Sequence, residues 1–404
     1  MLFSPILSYI TYGLLGLESS TYYFQLIFCF FGLFFIIKKW KRIHVESFHY
    51  FFAGYSGYLI IWSFYNGFFE QKGFFNSFNL NHLSILMILI IIYNTKFNIR
   101  FITRTIFLFK ITVIVAAVVS LVQVFNYSFL DASLIREVNW IGDTLQGKLY
   151  LDRRLSIFGY VDPNELGLSY MPLLAVVIGF LLFNKEKGVY YFLILGGISA
   201  FLSNNRYVMI AFLIIGLQIM IFQKIKLKGF IKYILLTAVA LFVLYQILSY
   251  LGYNMSDWYN ERLLSEGSLR ETTRYKAFGN FIKFFPRAPF FGTGVHITKE
   301  IKAASNAIGS SQIHVGYLAH LVSYGLVGSF LLFGFWFLMS KKLYKTAKLT
   351  SYWGSFFGFL IYLWAQATLV NYSIFFYGLI FAFIFDRYFR DYGRSDLVLT
   401  GVEK

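Results

Sequence analysis

About twelve apolar runs, each of 15 to 27 residues, make up most of this chain, and nearly all of its charge lies in the stretches between them. Runs of this length suit one structure above others. An α-helix satisfies its own backbone donors and acceptors, so a segment of about 20 apolar residues can cross a hydrocarbon layer without leaving a polar group stranded. Of the 404 residues, 58% are hydrophobic and only 14% charged. That leaves too little polar surface to cover a water-soluble fold, so the bilayer is the expected solvent. The expected fold is an all-α polytopic membrane protein. Its spans fall near 2–17, 22–37, 48–69, 79–95, 105–125, 165–183, 189–203, 207–223, 231–250, 313–339, 352–368 and 371–386.

The charge between the runs orients them. The net charge is +17, and its basic residues gather at Lys38–Arg42, Lys96–Lys110, Lys185–Lys187, Lys224–Lys232 and Lys341–Lys348. These patches hold 18 Lys and Arg against two acids, Glu46 and Glu186, and they fall between alternate apolar runs. The positive-inside pattern puts them in the cytoplasm together with both termini, including a tail at 387–404. Orientation accounts for the excess charge without nucleic acid. The one cysteine, Cys29, lies inside an apolar run and reads as a buried thiol. Residues 2–17 lack the basic start and small-residue cleavage site of a signal peptide.

Two connections are long, 126–164 and 251–312, and the threading puts both on the outer face. The second carries eight basic residues against five acidic ones, which orientation does not require there. Arg206 is a further unexplained cation. It opens an apolar run directly after Ser203-Asn204-Asn205, with no acid nearby in sequence. A guanidinium at the helix centre costs about 2.5–3.5 kcal/mol on insertion scales, so a cation in such surroundings is a functional candidate by default. Near the end of the first long loop stand Arg153 and Arg154, then Asp162-Pro163-Asn164-Glu165. One arginine can pair with Asp152 and the other hold an anion. Asp162 and Glu165 read equally as a helix cap and first-turn acid or as working carboxylates.

The second loop presents Arg270, Arg274 and Phe278 at four-residue spacing, one face of an interfacial helix. Phe291-Gly292-Thr293-Gly294 then reads as a tight chain reversal. His314 opens the next apolar run, eleven residues before Gly325. Eleven helical steps return nearly to the starting face, so a packed glycine at 325 would turn His314 inward. The alternative is an ordinary interfacial histidine, and His320, some 240° round the helix, reads as structural. No zinc-ligand spacing, nucleophile elbow or phosphate-binding loop is present. The charged candidates sit at outer ends rather than mid-span, unlike a typical transporter. This favours a reaction at the membrane surface on a lipid-anchored anion.

In this order, the motifs resemble those of the O-antigen polymerase and O-antigen ligase superfamily over residues 150–335. The matching elements are Arg154 through Gly167, Arg206 after its short outer turn, Arg270 or Arg274, Gly292–Gly294, and His314 followed by Gly325-Leu326-Val327-Gly328. The position after the histidine is Val315, where the ligase pattern has Asn, Ser or Gln, and this favours polymerase. The resemblance implies a C-type glycosyltransferase-like bundle in a bacterial inner membrane. It implies metal-independent, inverting transfer of glycan from an undecaprenyl-diphosphate donor, with no cofactor. The acceptor would be a second lipid-linked glycan or lipid A core, and a flippase and a chain-length regulator would be partners. Arg154, Arg206, Arg270 and Arg274 would bind the diphosphate and His314 would be the general base. Arg153, Asp162 and Glu165 would support them.

Overall fold

The computed structural model describes residues 20–69, 80–125, 170–202, 206–223, 273–293, 315–366 and 377–392, with isolated positions between 239 and 250. Among these residues the chain is helical and contains no strand. In chain order the helices are α1 Ser20–Lys39, α2 Ser47–Phe69, α3 Leu80–Tyr93, α4 Ile99–Phe125, α5 Met171–Phe183, α6 Val189–Leu202, α7 Arg206–Gln223, α8 Thr273–Phe284, α9 Gly316–Thr350, α10 Gly354–Gln366 and α11 Tyr377–Tyr392. The α4 segment Ile99–Gln123 and α9 are long and apolar enough to cross a bilayer. Several others are apolar but shorter.

Helix α5 is the axis of the bundle. Its sequence is apolar on every side, and Met171 through Leu182 are all buried. A helix with no polar face has to be enclosed, and α4, α6, α7, α10 and α11 all pack around it. Small residues set the closest approaches. A Cβ on Gly179 would collide with Gly354 of α10 and stand 2.6 Å from Gln218 Nε2 of α7. Gln218 donates to Ala175 O at 3.1 Å, which satisfies one of its own polar atoms and ties α7 to α5. The outer surfaces of α1, α4, α6 and α9 instead expose Phe31, Phe107, Ile194, Phe330 and Phe337. So many large exposed apolar side chains suit a hydrocarbon environment.

Nearly all the expected spans correspond to described helices, while 2–17 and most of 231–250 lie outside the described residues. The ends differ in places. The run expected at 313–339 begins at Gly316 and continues to Thr350, so the Lys341–Lys348 patch lies on the last turns of α9 rather than in a loop. Helix α11 continues to Tyr392, six residues into the segment read as a tail. Cys29 is buried, as expected.

Described basic residues from several patches gather at one end of the bundle, while Lys224–Lys232 lies outside the described residues. Glu46, just before α2, forms an ion pair with Lys342 of α9 and a second, at 2.7 Å, with Arg390 of α11. Asn94 beyond α3 exchanges hydrogen bonds with His44. Lys110 of α4 pairs with Glu186 at 2.8 Å, and the Phe183 ring lies 4.8 Å from Phe389. Both minority acids of the basic patches are therefore used as pairing partners. Burial alone would raise the Glu46 pKa, but Lys342 and Arg390 outweigh it and lower the carboxyl from 4.5 to about 2.

Candidate functional site

The opposite end of the bundle is built around a broken helix. Gly325, inside α9, has φ 62° and ψ −167°, a backbone region essentially closed to residues with a Cβ. The ladder stops there and leaves backbone groups unpaired inside an apolar environment, an arrangement tolerated only when other protein groups replace the lost partners. The turn that follows α8 supplies them. Pro289 O accepts from Leu326 N at 2.8 Å, Phe290 O accepts from Val327 N at 3.0 Å, and Thr293 N donates to Val322 O at 3.0 Å. The Thr293 hydroxyl donates to the same carbonyl at 3.0 Å. Gly292, with φ 77°, lies against Gly325, and a Cβ on either would collide with the other's backbone.

Two side chains of α2 clamp this turn. Tyr58 Oη donates to Phe291 O and approaches Tyr324 O at 3.1 Å, and Trp62 Nε1 donates to Phe291 O at 3.2 Å. Helix α8 packs on the first limb of α9 through a small core of Ala277, Phe284, Ala319 and Val322, and exposes Phe278 and Ile282. Beneath the break lies a ring cluster. The Tyr55 ring is 5.9 Å from Tyr324 and 5.3 Å from His82, and His320 lies 6.0 Å from Tyr324 and 5.9 Å from Trp336.

Two registers fix which residues share a level at this end. Gly354 of α10 and Gln218 of α7 both meet Gly179, and α7 packs on α10. Twelve residues from that contact, about 18 Å along each antiparallel helix at 1.5 Å per residue, lead to Arg206 on α7 and Gln366 on α10. Independently, Tyr317 Oη donates to Leu363 O at 2.6 Å, which aligns the first turn of α9 with the last turn of α10. The start of α7, the start of α9 and the end of α10 therefore form one layer, on the side away from Glu46.

Of the candidates named from sequence, Arg206 is the first residue of α7 and Arg274 the second of α8. Arg153, Arg154, Asp162, Glu165, Arg270 and His314 lie outside the described residues. Val315, which follows His314, is extended at φ −134° and ψ 105°, and α9 starts only at Gly316. The helical projection relating His314 to Gly325 therefore does not apply, because neither Val315 nor Gly325 has helical geometry. Gly325 is where the helix breaks and receives the 289–293 turn, not a flat packing site. His320 is buried among rings. Tyr58, Trp62, His82 and Gln366 were not singled out from sequence. Each stands within an apolar or aromatic run, and only tertiary contacts distinguish it.

Residues 191–333 match the family model described as O-antigen ligase. Over that segment the chain is similar to the O-antigen ligase family. The matched segment runs from α6 through the broken part of α9, and it contains Arg206, Arg270, Arg274, both interlocked glycines and His314. No curated protein matches the chain.

Proposed function

We propose that this protein polymerises undecaprenyl-diphosphate-linked oligosaccharide repeat units at the periplasmic face of a bacterial inner membrane. The observation that carries this reading is the shared layer opposite the basic end. There Arg206 opens α7 and α9 starts at Gly316, two positions after His314 in sequence, within the segment that matches the family model. In this reading that end is the periplasmic one, which the alternation of basic patches supports.

In the proposed reaction, an acceptor sugar hydroxyl attacks the anomeric carbon of the donor from the side away from the diphosphate. A carbon–oxygen bond forms, the bond to the phosphate oxygen breaks, and the configuration inverts. His314 takes the hydroxyl proton; an imidazole with a reference pKa of about 6.5 suits that task near neutrality. Undecaprenyl diphosphate leaves carrying the electron pair. Arg154, Arg206 and Arg270 or Arg274 receive its growing negative charge. Guanidinium suits this role because its planar fork binds phosphate through two parallel hydrogen bonds and stays protonated. Each such donor in a water-poor site contributes roughly 3–4 kcal/mol to the transition state. Arg153 supports the diphosphate, and Asp162 or Glu165 is the reserve base. No metal enters this scheme.

The family description favours a second reading, transfer of the finished glycan to lipid A core. Purified full-length protein supplied with lipid-diphosphate oligosaccharide, with and without core acceptor, separates the two. Lipid-linked chains that lengthen without core support polymerisation, and product formed only on added core supports ligation. Movement of the lipid across vesicles with no new glycosidic bond would overturn both in favour of transport.

A further inference from the structure

Gln366 is the last residue of α10, fully buried at 0% exposure, and neither its Nε2 nor its Oε1 has a hydrogen-bond partner. Gln218, the other fully buried glutamine, by contrast donates through Nε2 to Ala175 O. Leaving a buried amide atom unpaired is costly, so two on one side chain need a reason. The register above supplies one. Gln366 sits at the level of Arg206 and of the first turn of α9, where the substrate is proposed to bind. His82 also has both ring nitrogens unpaired, but it is packed between the rings of Phe52 and Tyr55 on α2.

The pair of orphans also restricts the ligand. A diphosphate only accepts hydrogen bonds, so it would satisfy Nε2 and leave Oε1 stranded. A group that both donates and accepts, such as a sugar hydroxyl pair or an acetamido substituent, satisfies both. Building on the function proposed above, we infer that Gln366 is a substrate-binding residue that holds a sugar of the lipid-linked glycan beside the diphosphate. Arg206 holds the phosphates in the same layer. The carboxamide stays unsatisfied in the empty protein and gains its partners when the glycan binds. Binding thus discriminates against lipids without sugar, because such lipids leave both amide atoms buried and unpaired.

The test uses the full chain in lipid nanodiscs and compares wild type with Gln366→Leu. Thermal melting is followed without ligand, with undecaprenyl diphosphate, and with the same lipid carrying an oligosaccharide. Leucine is close to glutamine in volume and has no polar atom to strand, so Q366L is expected to melt at or above the wild-type temperature when empty. It is also expected to bind the sugar-bearing lipid about 10- to 100-fold more weakly, with affinity for the sugar-free lipid unchanged. Wild-type affinity for both lipids in Q366L would overturn the inference. So would a lower melting temperature for empty Q366L, since the amide would then be structural. If wild type itself binds neither lipid, the functional reading fails along with the inference. Unchanged binding by Q366L beside a binding wild type would sink the Gln366 assignment alone.

Discussion

At the scale of single residues, the site depends most visibly on a glycine. Gly325 combines a backbone conformation that side chains resist with a contact that leaves no room for one. A methyl group there meets the Gly292 amide and the Phe290 carbonyl, and backbone cannot swing aside as the end of a flexible side chain can. Gly325→Ala should therefore destabilise the protein by more than about 2 kcal/mol, combining left-handed strain with displacement of the docked turn. Melting of the purified variant in detergent checks this. A melting temperature within a degree of wild type would mean that the turn is not seated in the break. In sequence, Gly325 reads as a small packing residue in an apolar run. Nothing local signals that its positive φ is stabilised by a turn more than thirty residues upstream, so the break was not legible. Gln366 was hidden for a related reason, because a glutamine at the end of an apolar run looks like an interfacial residue until its burial is known.

At the scale of elements, one acidic side chain holds three helices together at the basic end. Glu46 joins the start of α2 to Lys342 of α9 and Arg390 of α11. Lys342 also lies 4.0 Å over the Tyr93 ring of α3, and Tyr93 Oη donates to Asp386 at 3.2 Å. Glu46→Gln leaves two partly buried cations short of a counter-charge and should cost about 1–3 kcal/mol at neutral pH, less than a fully buried pair because the carboxylate retains some solvent. The sign with pH follows from the lowered pKa. Pairing stabilises the fold fully between pH 4.5 and neutrality and is lost as pH falls through about 2. Melting curves of wild type and E46Q should therefore be separated at pH 7 and converge toward pH 2; a constant gap would show that the carboxylate's charge is not what holds the clasp. The helices themselves were largely legible. Hydropathy located α2, α3, α6, α7 and α10 to within a few residues, because burial in a bilayer rewards apolarity on every face. It missed the ends of α9 and α11, whose last turns carry Lys341–Lys348 and Arg387–Asp391 and are kept helical by partners such as Glu46 and the Arg387–Asp391 pair.

At the scale of the whole molecule, the two ends divide the work. One end gathers cations against Glu46 and Glu186 and fixes the bundle. The other carries a broken helix, a docked turn and a layer shared by Arg206, Gln366 and the start of α9. The order of motifs along the chain was legible as a superfamily pattern, whereas the levels in space were not. They depend on the contacts of Gly179 with Gly354 and of Tyr317 with Leu363, which no periodicity encodes. The central claim is that a glycosidic bond forms in that layer with His314 as the base. The most direct measurement is glycan transfer from lipid-diphosphate oligosaccharide by purified wild type and His314→Ala, each with chelator present and membrane insertion verified. The account predicts undiminished chelator-treated wild-type turnover, and a fall of about 10²–10⁴-fold in H314A with donor binding retained. Wild-type chain lengths and rates from H314A would contradict it.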